Sequence, residues 1–245
     1  MTAVIDTGDP RALAAVEAIH AGDVEALQRL LVAHPELATA ALGTTGPDGM
    51  TRTLLHVVTD WPGHYPNGPQ SIAVLVGAGA DVNARFTGPH TETPLHWAAS
   101  SDDVDVIDAL LDHGANIEAD GAVIGGGTPL DDAVAFAQWG AARRLLGHGA
   151  KLSLFNAAAL GELDYVRNHT SPEAPADDLD RAFWGACHGG QQATAQYLLD
   201  LGADRNWIAP WDGMTPLDTA RRNDFEEFAG WLVAQGCHPG RSLPE

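Results

Sequence analysis

The chain has 245 residues, 45% of them apolar, and a formal net charge of −20 from 33 acidic and 13 basic side chains. That length suits one or two globular domains or a single repeat array, and the apolar share is enough for a continuous core. The acidity repels phosphate backbones and anionic lipid, which argues against nucleic-acid or membrane-surface binding and keeps a soluble protein dispersed. The two cysteines, Cys187 and Cys237, have no further cysteine at metal-ligand spacing. A disulfide framework is therefore not expected, and a reducing, cytoplasmic compartment is. Residues 1–9 lack the basic region and apolar run of a signal peptide, and no stretch approaches the roughly 18 apolar residues of a membrane span.

In chain order, the first pair of helices is expected over residues 11–41, with Ala15, Ala18 and Ile19 on one apolar face and Leu27, Leu30 and Leu31 on the next. Residues 43–50, rich in Gly, Thr, Pro and Asp, read as a long turn. A second pair starts at Thr53-Leu54-Leu55-His56 and ends at Gly79-Ala80. Its two helices are separated by an insertion from Trp61 to Pro69, whose three prolines forbid a continued helix. A third runs from Thr93-Pro94-Leu95-His96-Trp97-Ala98-Ala99 through Ile107, Leu110 and Leu111 to Gly114-Ala115-Asn116. Thr93 is placed to cap a helix whose first position is Pro94, where the missing N–H costs nothing. A fourth starts at Thr128-Pro129-Leu130 after the flexible run Gly125-Gly126-Gly127. A fifth pair, with Leu154, Ala157 and Ala158 and then Leu163 and Val166, is short. The sixth, through Ala182 and Ala186 to Leu198-Leu199, lacks the Thr-Pro-Leu start. The seventh begins at Thr215-Pro216-Leu217, and the tail from His238 to Glu245 is expected to fray.

The Thr-Pro-Leu-His start, alanine pair, second apolar helix and Gly-Ala turn resemble an ankyrin repeat, in a bacterial-type array of about seven. The resemblance implies an all-α ankyrin-repeat solenoid over 1–245, with repeats at about 11–46, 50–85, 91–120, 126–152, 153–176, 177–207 and 212–241. No sheet is expected beyond hairpins. It further implies a concave face, lined by hairpins and first helices, that in most ankyrin proteins binds another protein. Fold alone does not fix function.

Counting back from the end of each first helix places Asp60, Trp61, Ser100, Ser101, Phe136 and His188 on the exposed stripe. One turn earlier stand Trp97, Asp132 and Trp184, each four residues before a stripe residue and so on the same face. The hairpins add His90, Glu92, Trp207 and Trp211, and the insertion adds His64 and Tyr65, which are expected to form a wall or lid near Ser100 and Ser101. Aromatic walls with a few convergent polar groups suit a small-ligand site and equally a protein-binding hot spot. Trp97 and Trp184 could instead fill gaps left by alanine-rich helices.

The candidate ligand-binding set is thus Trp61, His64, Tyr65, Trp97, Ser100, Ser101, Phe136, Trp184, Trp207 and Trp211. The candidate general acid–base groups are His188, Asp132, Asp60, His90 and Glu92. His56 and His96 belong to the helix-start pattern and are expected to hydrogen-bond neighbouring hairpins. Asp131 replaces that histidine, and Asp102 is expected to cap the helix after it. His56, Asp60 and His64 are four apart like metal ligands, but Pro62 breaks the helix between the last two, so no metal is expected. No nucleophile elbow, phosphate loop or dinucleotide fingerprint is present, and no cofactor is implied. Two functions remain open. One is a monomeric recognition module for a protein segment or small molecule in the groove. The other is an enzyme using His, Asp and Glu on a small organic substrate.

Overall fold

The structure is a computed structural model that describes residues 3–44, 46 and 49–240. The parts of the expected turn and tail at 45, 47, 48 and 241–245 lie outside the described residues. The chain divides into two compact units, Met1–Ala150 and Lys151–Glu245. It is mostly helical, at 54%.

The first unit begins with β1 (Val4–Ile5), α1 (Pro10–Ala21), α2 (Val24–Ala33) and α3 (Glu36–Thr39). Strands β2 (Ala41–Gly43) and β3 (Thr51–Arg52) follow, then α4 (Leu54–Thr59), α5 (Gly68–Gly77), α6 (Pro94–Ser100), α7 (Val104–Asp112), α8 (Pro129–Ala135) and α9 (Trp139–Gly147). Helices α1, α4, α6 and α8 stack in one row, and α2, α5, α7 and α9 in a second row against it. Leu55, Leu95, Leu110, Leu130 and Leu145 are fully buried between the rows. A sheet of order β1-β2-β3 goes beyond the expected hairpins: β1 pairs in parallel with β2 through Val4–Ala41 and Ile5–Leu42. The pairing uses a strand before the first helix, where no turn signal marks it.

The helix starts follow from their sequences. Thr53, Thr93 and Thr128 each close a capping box with the residue three positions on, His56, His96 or Asp131. Between paired helices the chain passes through the left-handed region, at Gly22 but also at Asp102 and Ala137, with φ 67°, 56° and 57°. Asp102 does not cap α7. Asp103 does, accepting from the Val106 N–H at 3.3 Å, while Asp102 accepts from the Ala141 N–H at the start of α9 at 2.5 Å.

The second unit contains α10 (Leu154–Leu160), α11 (Leu163–His169), α12 (Ala176–His188), α13 (Gln192–Asp200), α14 (Pro216–Arg222) and α15 (Glu226–Ala234). Helix α10 packs on α12 and α12 on α14, while α11 packs on α13, so the short fifth pair stacks regularly on the sixth. Phe183, Leu198, Leu217 and Leu232 are buried at the centre of its core. Cys187 and Cys237 are both buried free thiols in this unit.

Candidate functional site

The first unit holds a cavity of about 400 Å³ between the ends of the first helices and their hairpins. Its rim carries Asp60 and Trp61, from the end of α4, with Ser100 and Ser101 from the end of α6. Trp97 and Phe136 supply aromatic faces, and Glu92, in the hairpin before α6, supplies a carboxyl. Counting back from the helix ends puts Asp60, Trp61, Ser100, Ser101 and Phe136 on one stripe, the four-residue spacing adds Trp97, and Glu92 belongs to the hairpin set. Thr59, Val123 and Gln138 complete the lining and were not singled out. Val123 arrives by the fold-back of the glycine-rich hairpin, which leaves no periodic signal in sequence.

Several of these residues are held in place by their neighbours. Trp97 meets the buried His56 edge-on at 4.9 Å and Phe86 at 5.5 Å. His56 accepts the Thr53 N–H at Nδ1, at 3.2 Å, which leaves Nε2–H to donate to the Glu92 carbonyl at 3.2 Å. His96 repeats this one repeat on, between the Thr93 N–H and the Gly127 carbonyl. Both histidines thus tie a helix start to a neighbouring hairpin, and His56 fixes the backbone that presents Glu92. Burial lowers the pKa of each to about 4, so both rings are neutral at pH 7. On the rim, Asp60 pairs with Arg52. The Ser100 hydroxyl donates to the His96 carbonyl at 3.0 Å, leaving its oxygen free to accept.

Asp132 is the unusual group. It is fully buried on α8, and neither carboxylate oxygen has a hydrogen-bond partner among the described residues. The Glu92 carboxyl and the Val123 N–H approach it, but neither in hydrogen-bonding geometry. Burial first, and then the charges of Glu92 and Asp131, push its pKa up to about 8. Glu92, 5% exposed, is also raised by burial, while Trp97 and His90 hold it partly down. Two acids so placed do not both ionise readily, so Asp132 keeps its proton near neutrality.

His64, Tyr65, Trp184, His188, Trp207 and Trp211 are not among the residues lining this cavity. His64, with φ 58°, donates its backbone N–H to Asp103 at 2.7 Å, and its Nε2 lies 2.9 Å from the Ser101 carbonyl. Tyr65 stacks on His20 at 4.3 Å. The insertion therefore docks on Ser101 and α1, and of its residues only Trp61, 80% exposed, reaches the cavity. Asp132 belongs to the first unit and His188 to the second.

In the second unit, His188 is buried and stacked on Trp184 at 5.3 Å. Its Nδ1 faces the side-chain amide of Asn223 at 2.9 Å and Arg222 at 3.3 Å, both donors, so Nδ1 is an acceptor. Trp184 donates its indole N–H to the Met214 carbonyl at 3.0 Å and meets Trp211 edge-on at 5.1 Å. Trp207 packs on Trp211. These side chains form one aromatic cluster. A larger opening of about 690 Å³ beside the β-sheet is lined mainly by Gly, Ala and Thr, with no aromatic face.

Comparison with known proteins agrees with the fold. Residues 64–156 match the family model of ankyrin repeats in three copies. The ankyrin repeat domain of human ASB11 superposes with a TM-score of 0.52 at 20% identity, covering 94% of this chain and 99% of that one. The chain carries ankyrin repeats over residues 64–156. Its fold is the all-α ankyrin-repeat fold. An ankyrin repeat and KH domain-containing protein of Caenorhabditis briggsae is 27% identical over 181 residues, 69% of this chain. The chain spans only 7% of that relative's length. Ankyrin repeats are protein-interaction modules. Among the described residues no helix is long and apolar enough to cross a membrane.

Proposed function

We propose that this ankyrin-repeat protein is a recognition module whose first unit takes a segment of a partner protein, or a small molecule, in the 400 Å³ cavity. The observation that carries this reading is the pairing of aromatic faces, Trp97 and Phe136, with the lining carboxyl Glu92, beside which Asp132 is buried. Apolar walls with few convergent polar groups are the general make-up of ligand sites. The test is a fragment screen read by the indole N–H resonances of the 15N-labelled chain. Fragments should shift Trp97 and Trp61 and lose affinity in Phe136→Ala. Hits confined to the cluster around Trp184 and Trp211, or none on Trp97, would sink it.

The second reading is an enzyme. It is favoured by Asp132, held protonated near neutrality beside a second acid, since that arrangement suits general acid–base chemistry on a small organic substrate. Mass spectrometry of a bound ligand after long incubation separates the two: a recognition module returns it unchanged.

A further inference from the structure

Beside the cavity lies a buried carboxyl without a hydrogen-bond partner among the described residues. Glu92 is on the lining, and Asp132 lies beside Glu92 and Val123 with both oxygens unbonded. A buried carboxyl left unpaired is costly, and native structures rarely keep one unless something else satisfies it. What would satisfy it is a hydrogen-bond donor carrying positive charge. The surroundings narrow the choice. Glu92 is 5% exposed and Asp132 not at all, so the donor must be compact, which disfavours the planar fork of a guanidinium. The aromatic faces of Trp97 and Phe136 suit an aliphatic stem and attract the cation at its end. Ser100 has an acceptor oxygen free on the same rim. The net charge of −20 attracts cations from solution.

We propose, resting on the reading of this cavity as the binding site, that it takes a primary alkylammonium group, with Glu92 and Asp132 as counter-charge and Trp97 and Phe136 flanking the stem. A lysine side chain of a partner and a free amine share this chemistry. The ammonium displaces the proton held by Asp132, so binding releases protons. The charged groups facing that pair are Asp131 on α8 and His90 in the hairpin, as well as the two acids themselves.

The experiment is calorimetric titration of the full chain with Nα-acetyl-lysine methylamide, its arginine and norleucine counterparts, and n-pentylamine. The lysine amide should bind saturably and release protons. The norleucine amide, isosteric but for the ammonium, should bind at least about tenfold more weakly, the equivalent of 1.4 kcal/mol. Lysine amide tighter than n-pentylamine points to a partner's lysine, and the reverse to a free amine; either supports the ammonium site. Glu92→Gln should weaken the lysine amide by a similar factor, with Asp132→Asn as the second variant should Glu92→Gln melt early. No saturable binding by either amine, or equal binding by the norleucine or arginine amide, overturns the proposal. If the norleucine amide binds on Trp97 as well as the lysine amide does, the cavity remains a ligand site and only the ammonium assignment falls.

Discussion

At the scale of single residues, the acid pair and the two helix-start histidines set opposite slopes of stability against pH. Asp132 has its folded pKa raised from 3.8 to about 8. Between those values the folded chain holds a proton that the unfolded chain has lost, so stability falls as pH rises through that window, by at most about 1.4 kcal/mol per pH unit. His56 and His96 have folded pKa values lowered from 6.5 to about 4. There the unfolded chain holds the extra protons, and stability is lost as pH falls from 6.5 to 4. Chemical denaturation across pH should therefore show maximal stability near the upper end of the histidine window and a decline towards pH 8. In Asp132→Asn the decline should flatten; an unchanged alkaline slope would show that Asp132 is ionised and satisfied. The spacing of four between Trp97 and Ser101 and between Asp132 and Phe136 made much of this cavity legible, because helical periodicity projects directly onto a face. Val123 and the insertion were less legible, because where a hairpin folds back depends on partners distant in sequence: His64 answers to Ser101 and Tyr65 to His20.

At the scale of elements, the Thr-Pro-Leu starts were readable because cap, proline and third-position acceptor act within one turn. The connection after each first helix was less so. A glycine marks it at Gly22, yet the same left-handed backbone is occupied by Asp102 and Ala137. Alanine gains nothing there to offset its Cβ clash, so Ala137→Gly should stabilise by roughly 0.5–1 kcal/mol. A rise in Tm checks this, and a fall would mean the Ala137 methyl packs favourably. Asp102 differs, because its carboxylate accepts from Ala141 in the next repeat. Asp102→Gly should relieve the backbone but lose that bond, leaving a net loss of about 1 kcal/mol or less. Leu110, buried fully in α7, should lose about 2–5 kcal/mol on truncation to Ala. A loss under about 1 kcal/mol would mean the site collapses without a cavity.

At the scale of the molecule, acidity is the dominant property, with 33 acidic residues against 13 basic. Self-repulsion within a folded acidic chain is screened by salt, so Tm at pH 7 should rise as sodium chloride is raised from low concentration to about 0.15 M. The same screening should weaken capture of a cation, so affinity for Nα-acetyl-lysine methylamide should fall over that range. Parallel scanning and titration calorimetry measure the two, and affinity that rises with salt would mean the contact is apolar. Composition made this legible at once, whereas the division into two compact units at Ala150 was not, because the repeat spacing runs on across it.

The measurement that bears most directly on the cavity and the buried acid beside it is a side-chain carboxyl 13C titration of the labelled chain, with and without Nα-acetyl-lysine methylamide. One carboxyl, absent in Asp132→Asn, should titrate near 8, and its midpoint should fall when the amide is present, because the ammonium favours the ionised pair. Titration of every carboxyl below about 5, or a midpoint indifferent to the amide, would contradict the account.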